Sequence, residues 1–381
     1  MKKTLAALAV LGAFAGSALA ADVTLYGLVD YGFSYQHLDA DAAGTDATDT
    51  FQMKSGQNSG SRFGIKGTED LGNGLKVSFI LENGFSADDG TFSTSGKLFD
   101  RQSSIALTGA FGEVAFGRMG QLASSLGSYG LLGAVSPFST GYGDITGLKF
   151  VQAKGHTRYD NVVTYETPTF SGFTAFAQYS FGNSGTDKNE VEYYEGKASA
   201  DRYYGIGASY KNGGLYLAGV VDSVNYGSVQ TNRPELDDSI TVTLGGNYDF
   251  NVAQVFASFQ YFDNALSVGQ KDVTGSKMDT ASAKRFQNGA EGYSAALGVG
   301  VPVLGGTAKA HVGYVYAEDT EDKDFGKLNR WNIAVGYEYN LSKRTSVYAT
   351  AAYLQDKFER AGVDDQEPNA TEVMAGMVHR F

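Results

Sequence analysis

The sequence predicts an all-β protein: a 16-stranded antiparallel transmembrane β-barrel with an inward-folded third loop. Three observations predict it. The C-terminal stretch alternates strictly and ends on an aromatic, the chain is rich in Gly, Tyr and Phe and has no Cys, and short turns recur at even spacing. From Thr371 to Phe381, one side carries Val373, Ala375, Met377, His379 and Phe381, and the other Glu372, Met374, Gly376, Val378 and Arg380. Period-two alternation means a strand with two unlike faces. A tilted strand needs about ten residues to cross a bilayer. Alone in lipid it would leave backbone groups unpaired at several kcal/mol each, so it must close a barrel.

Met1 to Ala20 reads as a secretory signal. Lys2 and Lys3 open it, Leu5 to Phe14 is apolar, and Ala18-Leu19-Ala20 is a small-residue cleavage site. Cleavage there leaves 361 of the 381 residues and takes the formal net charge from −12 to −14. No later apolar run reaches the length of a membrane helix. The 50 Gly, 24 Tyr and 24 Phe suit a large barrel, in which Gly relieves crowding and aromatics mark the membrane interfaces. An exported chain without Cys has no disulfide staples, so its backbone must lock itself. A soluble β-sandwich is the competing class, but this length would need two or more of them. The acidic balance argues against nucleic acid as a partner.

The first strand, Val23 to His37, sets Val23, Leu25, Val29, Tyr31, Phe33 and Tyr35 against Thr24, Tyr26, Asp30, Ser34 and Gln36. Apolar-out and polar-in is the pattern of a wall between lipid and water. Residues from about Leu38 to Asn58 read as a polar, acidic loop. Asn73-Gly74 then lies between two alternating runs, a strong hairpin signal. Further short turns fall near Ala110–Gly112, Thr167–Gly172, Lys211–Gly214, Asp249–Asn251, Pro302–Gly306 and Asn340–Arg344. These seven turns join fourteen strands, and the first and last strands make sixteen, at roughly 22 residues each. In the late strands Ile333, Val335 and Tyr337 face lipid while Asn332, Ala334 and Gly336 face the bore. An even count puts both chain ends on the short-turn side.

One stretch does not alternate. From Met119 to about His156 the chain carries six Gly between Gly120 and Gly143, one Pro and few charges. A long loop in a compact structure is functional or disordered. The other loops are acidic, whereas this one includes Leu131-Leu132-Gly133-Ala134-Val135, which suits packing against the inner wall.

Together these stretches resemble the general porins of Gram-negative outer membranes, of the neisserial and related β-proteobacterial type. The residues that carry the resemblance are Val23 to Asp30, Gly60 to Gly74, Ala110 to Arg118, Arg158 to Asn161 with Tyr165, Pro168 and Gly172-Phe173, and the ending His379-Arg380-Phe381. The resemblance implies a homotrimer set among outer-membrane lipid and lipopolysaccharide that passes small hydrophilic solutes and ions. It also implies an eyelet formed by the third loop (119–157) and a C-terminal strand, ending on Phe381, that the barrel-assembly machinery reads. In such porins the loop is often acidic. Here Asp144 is its only acid between Met119 and Lys149, a departure that bears on ion preference.

Parity places Arg62, Lys66, Lys76, Arg158, Lys309 and Arg330 inside, against Asp30, Glu82, Glu113, Glu166, Asp222 and Glu338. Numbers so matched do not set selectivity, because depth cannot be read from parity. The charge-lining candidates near the eyelet are Arg62, Lys66, Lys76, Glu82, Glu113, Arg118, Asp144 and Arg158, whose balance favours a modestly anion-selective channel. Arg101 shares parity with lipid-facing Ile105, so it lies above the membrane or next to a bulge. The acidic run Glu318 to Asp324 lacks the spacing of a calcium loop, and four His without Cys make no zinc set. No cofactor is expected. His156 and Asp160 have the spacing of an acid–base pair, but no nucleophile accompanies them, so no enzyme is expected. A substrate-preferring channel with Tyr26, Tyr203, Tyr216, Phe256 and Tyr348 along its bore, and a surface adhesin or antigen, are the alternatives.

Overall fold

The computed structural model describes residues 22–41, 44–153, 156–182, 195–196, 199–227, 237–269, 286, 288–362 and 364–381. The signal read at Met1–Ala20 lies outside them. Seventeen strands run through the described residues. They are β1 (Thr24–Asp39), β2 (Thr48–Ser55), β3 (Arg62–Gly72), β4 (Leu75–Gly84), β5 (Gln102–Gly109), β6 (Gly112–Gly120), β7 (Arg158–Glu166), β8 (Phe173–Ser180) and β9 (Arg202–Asn212). They continue as β10 (Leu215–Asn225), β11 (Ser239–Asp249), β12 (Gln254–Ala265), β13 (Ala290–Val303), β14 (Gly306–Asp319), β15 (Lys327–Asn340), β16 (Thr345–Glu359) and β17 (Asn369–Arg380). From β3 onward each strand pairs antiparallel with the next, and β17 returns to β1. All seven expected turns are where the sequence puts them.

The seventeenth element is an interruption rather than an extra wall strand. β1 offers one edge to two segments: Thr24 to Leu28 pair with β3, and Tyr31 to Leu38 pair with β2. β2 and β3 thus fill a single position, and the wall is a closed barrel of sixteen. The expected loop from Leu38 to Asn58 is corrected here, because Phe51 and Met53 alternate with Gln52 and Lys54 and extend the β1 hairpin. Between β2 and β3 the chain leaves the ladder, and Asp30 holds the excursion. Its carboxylate accepts the backbone N–H groups of Asn58 (2.6 Å) and Ser59 (2.7 Å) and the Tyr348 hydroxyl (2.8 Å). Ser61 Oγ accepts the Asp30 backbone N–H at 3.0 Å.

Closure needs the last residue. The Phe381 N–H donates to Gly27 O at 3.0 Å and the Gly27 N–H donates back to Phe381 O at 3.2 Å. A side chain on Gly27 would run into the Phe381 ring, so this glycine is the seat of that aromatic. Outward positions are apolar and exposed, among them Leu25, Ile206, Leu297 and Val335. Their strand neighbours of opposite parity are mostly covered from inside. The short turns also carry exposed apolar tips: Phe170 is 79 % exposed, Val252 75 % and Leu304 89 %. Leu304 sits in the left-handed region (φ 51°), where a leucine is strained.

Register is testable at β15. Val335 is exposed, but Ala334 is 1 % exposed and packs in a cluster with Phe138 and Ile145, so it does not face open water as the alternation alone suggested. Val335→Arg should cost about 2–4 kcal/mol if it lies near mid-membrane. Ala334→Arg should destabilise as well, by overpacking the cluster. Urea unfolding from lipid vesicles measures both, and wild-type stability of Val335→Arg would mean the strand is slipped by one residue.

Candidate pore constriction

The segment after β6 is closed at its neck by Gln121. Its backbone N–H donates to Thr157 O and its Oε1 accepts the Thr157 N–H, both at 3.1 Å, while its Nε2 donates to Asp222 of β10 at 3.2 Å. From there the chain lies along the inner face of the wall. Leu122 N–H reaches Gln178 of β8 (3.2 Å), and Leu131 O accepts from Tyr216 of β10 (2.8 Å). Ala134 O accepts from Asn247 of β11 (2.7 Å), and Tyr142 Oη from Lys309 of β14 (3.0 Å). Asn332 of β15 donates to Ile145 O and Gly147 O, and Glu372 of β17 accepts the N–H groups of Asp144 and Ile145. The return leg meets Arg330 at Phe150 O (3.1 Å) and Gln260 of β12 at the Ala153 N–H (2.8 Å).

This arrangement follows from backbone chemistry. An irregular segment packed inside must satisfy its N–H and C=O groups, and the wall's polar side chains provide the partners. Three inward glycines make room for it. A Cβ on Gly245, Gly298 or Gly336 would collide with Val135, Pro137 or Phe138 respectively. Beneath the loop, Arg330 and Asp356 form a fully buried bidentate pair at 2.6 and 2.8 Å. Removing either partner of such a pair leaves a buried charge unmatched.

The other arc of the wall, β3 to β7, carries a basic cluster at its long-loop end. Arg62 opens β3, Arg101 immediately precedes β5, Arg118 lies near the end of β6 and Arg158 opens β7. Glu82 takes Arg101 Nε at 2.8 Å, and Arg62 Nη1 lies 3.7 Å away. Asp160 takes Arg118 Nη1 at 2.5 Å and Lys97 Nζ at 2.7 Å. Arg118 Nε also donates to Asp100 O at 2.6 Å. Among the described residues Arg158 makes no ion pair, and its Nε has no hydrogen-bond partner. Five basic side chains (Arg62, Lys97, Arg101, Arg118, Arg158) therefore stand against three acids (Glu82, Asp100, Asp160).

Of the eight candidates, Arg62, Glu82, Arg118 and Arg158 come together. Lys66 lies four residues further along β3 from Arg62, over the Tyr26 ring at 5.1 Å. Lys76 and Glu113 stand at the turn end, each the second residue of its strand, although Tyr129 of the loop reaches Glu113 at 2.5 Å. Asp144 lies against β1, β2 and β17, held by Lys54 Nζ at 2.5 Å and Gln36 Nε2 at 2.8 Å. Parity was no guide to the depth of these residues. It missed Arg101, which turns toward Glu82 because it stands in a bend before the ladder begins, and Lys54, which lay in the presumed loop. His156 and Asp160 are not a pair: His156 Nε2 contacts Gln152 Oε1 at 2.9 Å, while Asp160 holds Arg118 and Lys97. Asp319 of the acidic run caps its own loop, accepting N–H groups from Asn288, Glu321 and Asp322.

The fold and this inner loop define a diffusion channel of the outer membrane of a Gram-negative cell: a closed strand wall with a lipid face outside and a polar, loop-lined bore. The chain matches the Gram-negative porin family over residues 6–358 and belongs to that family. It is 34 % identical to an outer membrane porin protein of Bordetella pertussis, covering all of both chains. It is 33 % identical to outer membrane porin protein 32 of Delftia acidovorans, over 94 % of this chain and 90 % of that one. Among solved structures it is similar to the anion-selective porin from Comamonas acidovorans, with a TM-score of 0.66 and 27 % identity over 95 % of this chain and 100 % of that one.

His156 supplies a pH test of the loop. Burial, with Lys149 nearby, lowers its pKa from 6.5 to about 3. The unfolded or undocked histidine then binds a proton between those values that the docked one does not. Its contribution to docking is complete above pH 6.5 and is lost as pH falls towards 3, by roughly 2 kcal/mol at pH 5. Open-channel current noise should rise between pH 7 and 5, and His156→Asn, which tolerates the positive φ of 62° there, should flatten that rise. An unchanged pH profile in the variant would show that His156 does not govern docking.

Proposed function

We propose that this outer-membrane diffusion channel is modestly anion-selective, with residues 119–157 as its constriction region and the arginine cluster setting the preference. Arg158 carries the reading: a guanidinium without an ion pair among the described residues, standing beside Arg101 and Arg118. The loop itself adds little negative charge, because its acid Asp144 is matched by Lys54. Charge at a constriction sets ion preference. The similar structure from Comamonas acidovorans is itself described as anion-selective. The chain works as a homotrimer among lipid and lipopolysaccharide after its signal is removed on export. It is a passive route rather than an enzyme, and it needs neither cofactor nor nucleic acid. The bore's tyrosines favour general diffusion over a substrate file, since Tyr203, Tyr216 and Tyr348 are engaged with Asp222, Leu131 O and Asp30.

Reversal potentials test the preference. At about 0.01 M salt the Debye length is about 30 Å and the acidic outer loops contribute; at about 1 M it is about 3 Å and only lining groups act. Anion preference should therefore persist at high salt, and Arg158→Glu should shift it towards cations. Cation preference of the wild type at 1 M would show that these arginines do not line the narrowest section.

Phe381 serves assembly in this reading, as the last residue of the closing strand and the signal for the insertion machinery. Deleting it removes two backbone hydrogen bonds to Gly27 and uncovers the seat of the ring. Exported but poorly inserted protein is the expected result. Equal yields of heat-modifiable trimer with and without Phe381 would refute the role.

A further inference from the structure

On the lipid side of β9 to β12 the wall is not flush. Ala208 stands opposite Gly219, and one step nearer the turn end Gly246 stands opposite Ala257. These four small outward positions floor a trough of about 940 Å³, within the range of about 300–1,000 Å³ typical of ligand sites. Leu244 and Phe259 form its loop-side bank, and Tyr210, Leu217 and Tyr248 its turn-side bank. The banks differ in chemistry. The loop side is hydrocarbon, whereas the turn side carries two phenol groups. Asn212 Nδ2 donates to Tyr210 Oη at 3.1 Å, which leaves the tyrosine's own proton to donate elsewhere. An apolar trough with hydroxyl donors along one bank has the polarity of an amphiphile.

We propose that this trough seats the acyl chains of a glycerophospholipid from the leaflet at the turn end, with Tyr210 and Tyr248 donating to its phosphate. Two observations favour a lipid over a second copy of the chain. The trough is continuous on both sides with the exposed lipid-facing band, at Ile206 and Leu297. It also lies across the ring from β2, which pairs among the described residues with β1 alone. A strand edge left open cannot face hydrocarbon, so the sector that needs protein cover is the opposite one.

The test uses the full-length, folded protein, stripped of lipid in detergent, incubated with dioleoyl phosphatidylethanolamine and weighed intact by native mass spectrometry. Wild type should retain one lipid per chain through detergent exchange. Ala257→Leu, which fills the floor, should lower retention about tenfold, equivalent to roughly 1.4 kcal/mol. Tyr210→Phe with Tyr248→Phe should weaken the phospholipid but not dioleoylglycerol, which lacks the phosphate. Ion preference should not move in either variant, so this test is independent of the selectivity reading. Equal retention by wild type and Ala257→Leu overturns the proposal. So does loss of chains from the assembly in that variant, which would mean a second copy occupies the trough. Should Ala257→Leu fail to fold, Ala208→Leu on the other floor pair makes the same measurement.

Discussion

Backbone pairing in hydrocarbon is the constraint on which the rest of this structure depends. Every N–H and C=O at membrane depth must find a partner, and no water is available to serve. The β1–β17 ladder from Leu28–Arg380 to Asp39–Asn369 meets that requirement at the one place where chain order does not. The Gly27–Phe381 exchange finishes it. Once the ring is closed, alternation is forced, because a residue faces either lipid or the bore. The polar residues then available inside are those that can hold a loop.

The inner loop meets the same constraint by other means. Among its described residues the helical structure is two short 3-10 turns at Leu132–Ala134 and Leu148–Phe150, so it borrows partners from wall side chains. Gln178, Tyr216, Asn247, Asn332, Glu372 and Gln260 are tethers before they are pore lining. Most of that work falls on the wall from β8 round to β17, although Gln102 of β5 and Glu113 of β6 also hold Ser128 and Tyr129. The arc from β3 to β7 is left with side chains whose charges answer one another incompletely. A low-charge loop pinned mainly to one arc leaves the excess of arginine on the other without acids from the loop to match it.

Much of this was legible in the sequence. Seven turns, the outward faces and the closing strand follow from periodicity and turn chemistry, which are local. The interruption between β2 and β3 was not, since Thr48–Ser55 is short and sits among acids. Asp30, more than twenty residues earlier, holds the excursion at Asn58 and Ser59. Arg101 was hidden for a related reason: parity holds only within a ladder, and Arg101 stands just outside one. Depth was the other missing quantity. Lys76 and Arg62 share inward parity, yet one stands beside a turn and the other begins a strand at a loop. The inward glycines Gly245, Gly298 and Gly336 were a signal for the inner loop, but reading them requires knowing what approaches.

The exposed tips of the short turns fix something the ring itself leaves free, the height at which the barrel floats. Phe170, Val252 and Leu304 continue the apolar outer band past the last paired residues, and Leu304 does so from a backbone conformation that disfavours leucine. In water such side chains would be a liability; in the headgroup layer they act as feet. The lower waterline of the protein therefore runs through the turns themselves. The membrane's thickness is then measured upward from that line, so a thinner bilayer would bare the loop end of the wall and leave the turn end seated.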